Sequence, residues 1–277
     1  MPDTLPPVVA VGAMTTASDR GLLADLAAAR AAGLAPIGVC TQLTVASRGL
    51  VTDVTDVPSD TVRAQLEHLT TLGAPAGIKI GVLGSAATGD AVLDYAETLD
   101  GPVVLDFVAS GPSGETVLSA DGIDRVAERL SVPALVTMSR QDAELIAGGA
   151  VDSLDDAQVA AQRVAARGAQ SVLIRCGDLP YRFYDPADDP GADGESESLS
   201  FDLFYDGEDF ALFEAPLLDA APQGLSSILT MTVLAALIKR ESVEAALQSA
   251  KRAATDAARF AANAAPFGLR PAYTAPS

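Results

Sequence analysis

The sequence predicts an α/β protein built on a mostly parallel central sheet, with helices on both faces and a late β-hairpin. Three observations carry that prediction. Short β-rich runs alternate with Ala-rich helical stretches as far as Cys176. The strand-like runs are almost continuously apolar, as strands covered on both faces must be. Beyond that point the pattern changes to two alternating runs flanking Asp206-Gly207, the signature of a hairpin.

The elements follow in order. VVAVGAM (8–14) reads as a buried strand, and 21–32 as a helix whose Leu22, Leu23 and Leu26 form a stripe ending at Gly33. APIGVC (35–40) is the second strand. Pro58 precedes a helix over 59–72, with Ser59 as its expected N-cap. Strand 77–83, helix 88–99, strand 102–108, helix 120–130 and strand 134–138 continue the alternation. Helix 141–147 stops at Gly148-Gly149, a natural left-handed terminator. Helix 154–167 and strand 171–176 complete the parallel region. DPADDPGADGESES (185–198) is acidic and rich in Gly and Pro, which predicts a mobile surface loop. The hairpin at 200–215, an apolar helix from 228 and a long helix over 243–264 close the chain. No fixed-period repeat or long linker divides the 277 residues, so one domain over 1–277 is expected.

Composition excludes several functions. A formal net charge of −19 repels nucleic acid and anionic membranes, which attract basic patches. The longest apolar run, Ile228 to Ile238, is too short to span a bilayer. MPDTLPP has no basic n-region, and two cysteines make no disulfide framework; a reduced cytoplasmic setting is expected. Dinucleotide binding is disfavoured because no G-x-G-x-x-G follows the first strand. Cys176 reads as a packing residue, with no histidine near it in sequence. The lone His68 reads as a helix-face residue.

The chemistry centres on 222-PQGLSSILT-230, a glycine turn opening onto an apolar helix. A helix N-terminus presents unpaired N–H groups to an anion, so Gly224, Ser226 and Ser227 form either a phosphate cradle or an ordinary cap. Two charged residues stand at strand ends, where ligands of open α/β sheets bind: Asp106 and Lys79. Lys79 could instead be a snorkelling surface lysine.

Six segments in order resemble the hydroxymethylpyrimidine and pyridoxal kinases of the ribokinase-like superfamily. They are Gly12 with 21-GLLADL-26, 79-KIGVLGS-85, 104-VLDFVASGPSGETVL-118, 137-TMSRQDAELIAG-148, 175-RCG-177 and 222-PQGLSSI-228. The resemblance covers most of the chain and implies a three-layer α/β/α sandwich. It also implies a kinase that moves the γ-phosphoryl of Mg²⁺·ATP to a hydroxymethyl group on a pyrimidine or pyridine ring. By the same resemblance a homodimer is expected.

Residue by residue, Lys79, Asp106, Arg175 and Gly177 fall on the nucleotide and phosphate side. Ser139 and Asp142 fall where relatives carry metal-proximal Asn and Glu. Met14, Thr15, Gln42 and Val82 fall around the heterocycle, although the loop 41–49 lacks the relatives' Ala-Gln-Asn. Ser227 stands at the position of the proposed base, an Asp or a Cys in relatives, and Ser226 at the second cradle glycine. Pro112 replaces a common lysine. Serine is not a base near neutral pH, and losing general-base help slows a reaction by about 10²–10⁴-fold. Phosphoryl transfer depends mainly on positioning and charge stabilisation, so activity need not vanish. If residue 226 needs a positive φ, serine there adds strain on the order of 1 kcal/mol. Asp142 would also serve simply as an acid in a first helical turn. The alternative function is a catalytically weakened homologue that binds a heterocycle or nucleotide.

Overall fold

The computed structural model describes residues 4–15, 20–47, 50–111, 114–177, 179, 199–217 and 223–263. The acidic loop 185–198, Pro112 and Pro222 lie outside the described residues.

Nine strands form one sheet in the order β3-β2-β1-β4-β5-β6-β7-β8-β9. β1 (Pro7–Thr15) pairs in parallel with β2 (Ala35–Ser47) on one side and β4 (Gly77–Ile80) on the other. β5 (Val103–Phe107), β6 (Leu135–Ser139) and β7 (Val172–Gly177) extend the parallel run. β8 (Leu199–Tyr205) and β9 (Phe210–Pro216) add the antiparallel hairpin about Asp206-Gly207.

The apolar continuity of β1 has a direct structural use. Val8 through Val11 are all fully buried, with Val9 and Val11 in one core and Val8 and Ala10 in the other. The first core is covered by α2 (Ser59–Thr70), α3 (Ala86–Glu97), α4 (Ala120–Ala127), α5 (Arg140–Ala147) and α6 (Leu154–Ala165), through residues such as Leu66, Leu93, Val126, Ile146 and Val164. The second is covered by α1 (Gly21–Ala31), α7 (Leu225–Ile238) and α8 (Val243–Asn263), through Leu22, Leu234 and Leu247. The period-2 alternation of a strand divides its side chains between two helical layers.

Two local expectations are corrected. The segment 41–49, read as a loop, continues β2 to Ser47 and folds back antiparallel onto β3 (Leu50–Asp56). The signal was obscured because Leu43 and Val45 point to solvent, 49% and 55% exposed, against the usual inward alternation. Helix α2 has Pro58, not Ser59, as its N-cap: Pro58 is extended and its carbonyl accepts from the N–H of Thr61 and Val62. Gly148 ends α5 at φ 72° as expected, where an L side chain would be strained.

Chain order sets the site. The chain runs outward from β1 to β3, then crosses back over β1 to β4 and proceeds in the other direction. The strand order thus reverses between β1 and β4, and at such a point ligands of open α/β sheets bind beyond the carboxyl ends of the strands.

Candidate active site

Four charged side chains from four elements meet at the carboxyl ends of β4, β5 and β7. Lys79 of β4 is 3% exposed, and its Nζ donates to Asp25 Oδ2 of α1 at 2.8 Å. The same Nζ lies 3.9 Å from Asp106 Oδ2 at the end of β5. Arg175 of β7 donates through Nη1 to Asp106 Oδ1 at 2.9 Å and to the Thr137 hydroxyl of β6 at 2.6 Å. Two carboxylates thus balance two cations, with both carboxylates fully buried or nearly so. Burial of charge is tolerable only with such pairing. Lys79 is therefore not a surface lysine that snorkels.

Helix α7 completes the cluster from above. Its N-cap, Gly224, takes φ 85°, a left-handed conformation that glycine reaches without strain, and it offers no side-chain cap to the first turn. Ser226 and Ser227 lie within the helix, and among the described residues only Arg240 departs from negative φ without being glycine. The strain contemplated for a serine at 226 does not arise. Instead the Ser226 hydroxyl donates to Asp106 Oδ2 in a short hydrogen bond. Ser227, 5% exposed, brings its hydroxyl to the Asp25 carboxyl. Asp25 Oδ1 nevertheless makes no hydrogen bond of normal geometry.

The two carboxyls are held in opposite senses. Burial pushes Asp25 above the usual carboxylate range, and Lys79 and Ser227 offset only part of that. Burial acts on Asp106 in the same direction, but Arg175, Lys79 and the Ser226 hydroxyl together hold it below its ordinary value. Asp106 is accordingly the firmly ionised member.

Asp142 and Ser139 sit beside this cluster in a helix cap. Ser139 is the N-cap of α5: its hydroxyl accepts from the Asp142 N–H at 3.1 Å and donates to Asp142 Oδ2 at 2.7 Å. Asp142 Oδ1 accepts from the N–H groups of Ala109 at 3.1 Å and Ser110 at 3.2 Å, which ties down the loop after β5. Burial raises the Asp142 carboxyl above its ordinary value, against these hydrogen bonds. Both oxygens are engaged, so a hard cation would meet Asp142 through water. Among the described residues no group of three or more His, Cys, Asp or Glu converges to hold a metal ion. The donor set fits Mg²⁺ that arrives with most of its oxygen ligands on phosphates and water, and not a protein-only cage.

The residues expected around a heterocycle lie on β1, on β2 and just beyond β4. Met14 is 39% exposed at the end of β1. Thr15 accepts a hydrogen bond from Thr44 at 2.8 Å, and the Val82 carbonyl accepts one from Thr41 at 2.6 Å. Gln42, 2% exposed, donates through Nε2 to Asp56 Oδ1 at 2.8 Å and to the Val117 carbonyl at 3.2 Å, while its buried Oε1 has no partner. Gly177 closes β7 at φ 63° with open space where a Cβ would stand, beside Arg175. Cys176 is buried and its thiol is pushed up to about 12, mainly by burial, as a packing residue should be.

Asp25 was not singled out from the sequence, although it was present in GLLADL. A signal existed: it lies three residues after Leu22 and four before Ala29, on the buried face of α1. Thr137 and Asp56 likewise become polar partners only through tertiary contacts.

Known proteins agree with this architecture. A family model described as phosphomethylpyrimidine kinase matches residues 17–269. The hydroxymethylpyrimidine/phosphomethylpyrimidine kinase of Aquifex aeolicus is 28% identical over 243 residues, covering 86% of this chain and 88% of that protein. Its counterpart in Streptomyces coelicolor is 28% identical over 258 residues, covering 92% and 90%. Among solved structures, pyridoxal kinase from Staphylococcus aureus in complex with AMP-PCP superposes with a TM-score of 0.81 at 23% identity, over 99% of this chain and 96% of that one. Phosphomethylpyrimidine kinase from Clostridium difficile gives 0.73 at 19% identity, over 91% and 99%. With the ribokinase-like sandwich and the matched family model together, the chain belongs to the phosphomethylpyrimidine kinase family, a family of ATP-dependent phosphotransferases.

Proposed function

We propose that this chain transfers the γ-phosphoryl of Mg²⁺·ATP to the hydroxymethyl group of a pyrimidine, as the curated relatives' names describe for those proteins. The observation that carries the reading is the N-terminus of α7. Gly224 caps a first turn whose Ser226 hydroxyl meets Asp106, so the helix N–H groups stand beside the paired Lys79–Asp106–Arg175 cluster. A transferring phosphoryl needs fixed N–H donors and cations held in place beside them, because its catalysis is chiefly positioning and charge stabilisation. Arg175 and Gly177 lie on the nucleotide side, and Met14, Thr15, Gln42 and Val82 line the substrate side. Magnesium bound to the phosphates would neutralise charge developing there, with Asp142 and Ser139 reaching it through water. We extend the same reading to a cytoplasmic homodimer.

The alternative, a binding protein with weakened turnover, has one observation in its favour. Ser226 and Arg175 are both already engaged by Asp106. The test is phosphorylated product by mass spectrometry, after incubation with Mg²⁺·ATP and hydroxymethylpyrimidine, its monophosphate or pyridoxal. Product that disappears in Gly224→Pro supports the kinase. Ligand binding without product from any of the three supports the alternative.

A further inference from the structure

The kinase reading leaves one position unexplained, because Ser227 occupies the place of a base and cannot itself take up a further proton near neutral pH. The structure supplies the missing acceptor directly behind it. Asp25 is 0% exposed, sits on the buried face of α1 and faces the Ser227 hydroxyl. One of its oxygens is fixed by Lys79 at 2.8 Å, while the other, Oδ1, is buried without a hydrogen bond. A buried carboxylate oxygen without a hydrogen bond of normal geometry can accept a proton from a hydroxyl that faces it. Gly12, inside β1, lies against the Asp25 carboxyl: an added Cβ there would stand 3.7 Å from Oδ2.

Resting on the kinase reading, we infer that Ser227 and Asp25 form a two-step proton relay in which Asp25 is the final acceptor for the substrate hydroxyl proton. The substrate hydroxyl oxygen forms its bond to the γ-phosphorus as the bond from that phosphorus to the β–γ bridging oxygen breaks. ADP leaves with that electron pair. The proton passes from the substrate oxygen to Ser227 Oγ, while the proton of Ser227 passes to Asp25. Every atom in the step comes from the substrates and these two residues. Asp25 touches no reactant and is a positioning residue that acts through Ser227.

Other charged groups facing Asp25 support that role. Lys79 from β4 holds the carboxylate in place before transfer, and Asp106 from β5 opposes a second charge nearby. Burial favours the protonated carboxyl, which makes Asp25 a stronger acceptor than an exposed aspartate.

The experiment is steady-state kinetics with Mg²⁺·ATP and hydroxymethylpyrimidine on full-length enzyme. Asp25→Asn should lower kcat by about 10²-fold or more while leaving the KM for ATP unchanged. Ser227→Ala should match it, and the two changes together should lose no more than either alone, since they interrupt one pathway. In the Asp25→Asn background, Ser227→Asp should recover turnover by placing a carboxylate directly at the substrate. If Asp25→Asn fails to fold, Asp25→Asn/Lys79→Met removes the ion pair as a unit and carries the comparison. Ser227→Ala, which leaves the pair intact, carries it if neither folds. Wild-type kcat in a folded Asp25→Asn or Ser227→Ala enzyme, or losses that multiply, overturns the relay while leaving the kinase reading in place. A wild-type chain that makes no product overturns both.

Discussion

Replacing Lys79 by methionine tests whether the buried charges act as a unit. Methionine keeps most of the apolar stem but removes the ammonium that lies 2.8 Å from Asp25 and 3.9 Å from Asp106. Asp106 keeps Arg175 and Ser226, so most of the loss falls on Asp25, which is left buried with only the Ser227 hydroxyl beside it. Breaking a buried pair by removing one partner costs about 3–5 kcal/mol, a large part of the roughly 5–15 kcal/mol that stabilises an ordinary domain. For a chain of this length that corresponds to a fall in Tm of about 6–10 °C. Adding Asp25→Asn should recover most of the deficit, because the uncompensated charge disappears. The pH dependence has a definite sign. Asp25 is held above the usual carboxylate range, so its ionised form opposes folding, and protonation as pH falls relieves that opposition. The Lys79→Met deficit should therefore shrink between neutral and mildly acidic pH. Urea unfolding of the two single variants and the double variant, at two pH values, measures all of this. A single-variant loss below about 1 kcal/mol, or a double variant that is worse than Lys79→Met, would refute the argument that these charges are stabilised by mutual pairing.

Other perturbations probe the remaining contacts. Ser226→Ala removes the hydroxyl donor on Asp106 Oδ2 and should destabilise by about 1.5–3 kcal/mol, the range for hydrogen bonds to charged groups, as read by thermal unfolding. Gly224→Ala forces a Cβ into φ 85° and should cost on the order of 1–3 kcal/mol. Its weakened ATP binding, followed by calorimetry, should exceed that of an alanine placed at the equally left-handed but remote Gly148. Asp106 is held below its ordinary value by Arg175, Lys79 and Ser226 once their effect exceeds that of burial. Its stabilisation is thus present above the unfolded carboxylate pKa and is lost as pH falls through the depressed folded value. Asp106→Asn should flatten that acid limb in unfolding curves measured from neutral pH downward.

Much of this protein was legible in its residues alone, because strand and helix are local patterns. Continuous apolar runs at Val8–Val11 and Val103–Leu105 announce strands covered on both faces, and Gly148, Gly224 and the Asp206-Gly207 turn mark where elements stop or reverse. Ordered motifs then narrowed the fold to one superfamily. The β2–β3 hairpin escaped because Leu43 and Val45 face outward, and alternation identifies a strand only when its apolar face is the buried one. The site was legible as a set of positions but not as a circuit. Lys79 and Asp25 are 54 residues apart, Arg175 and Asp106 are 69 apart, and Ser226 and Asp106 are 120 apart. Sequence spacing carries no information on such pairings. Only sheet order, which puts β4 beside β1 and α7 above both β4 and β5, decides that Asp25 lies behind Ser227 and that Asp142 caps a helix. Charge placement in a low-dielectric interior is a property of three-dimensional neighbours, and folding alone supplies them.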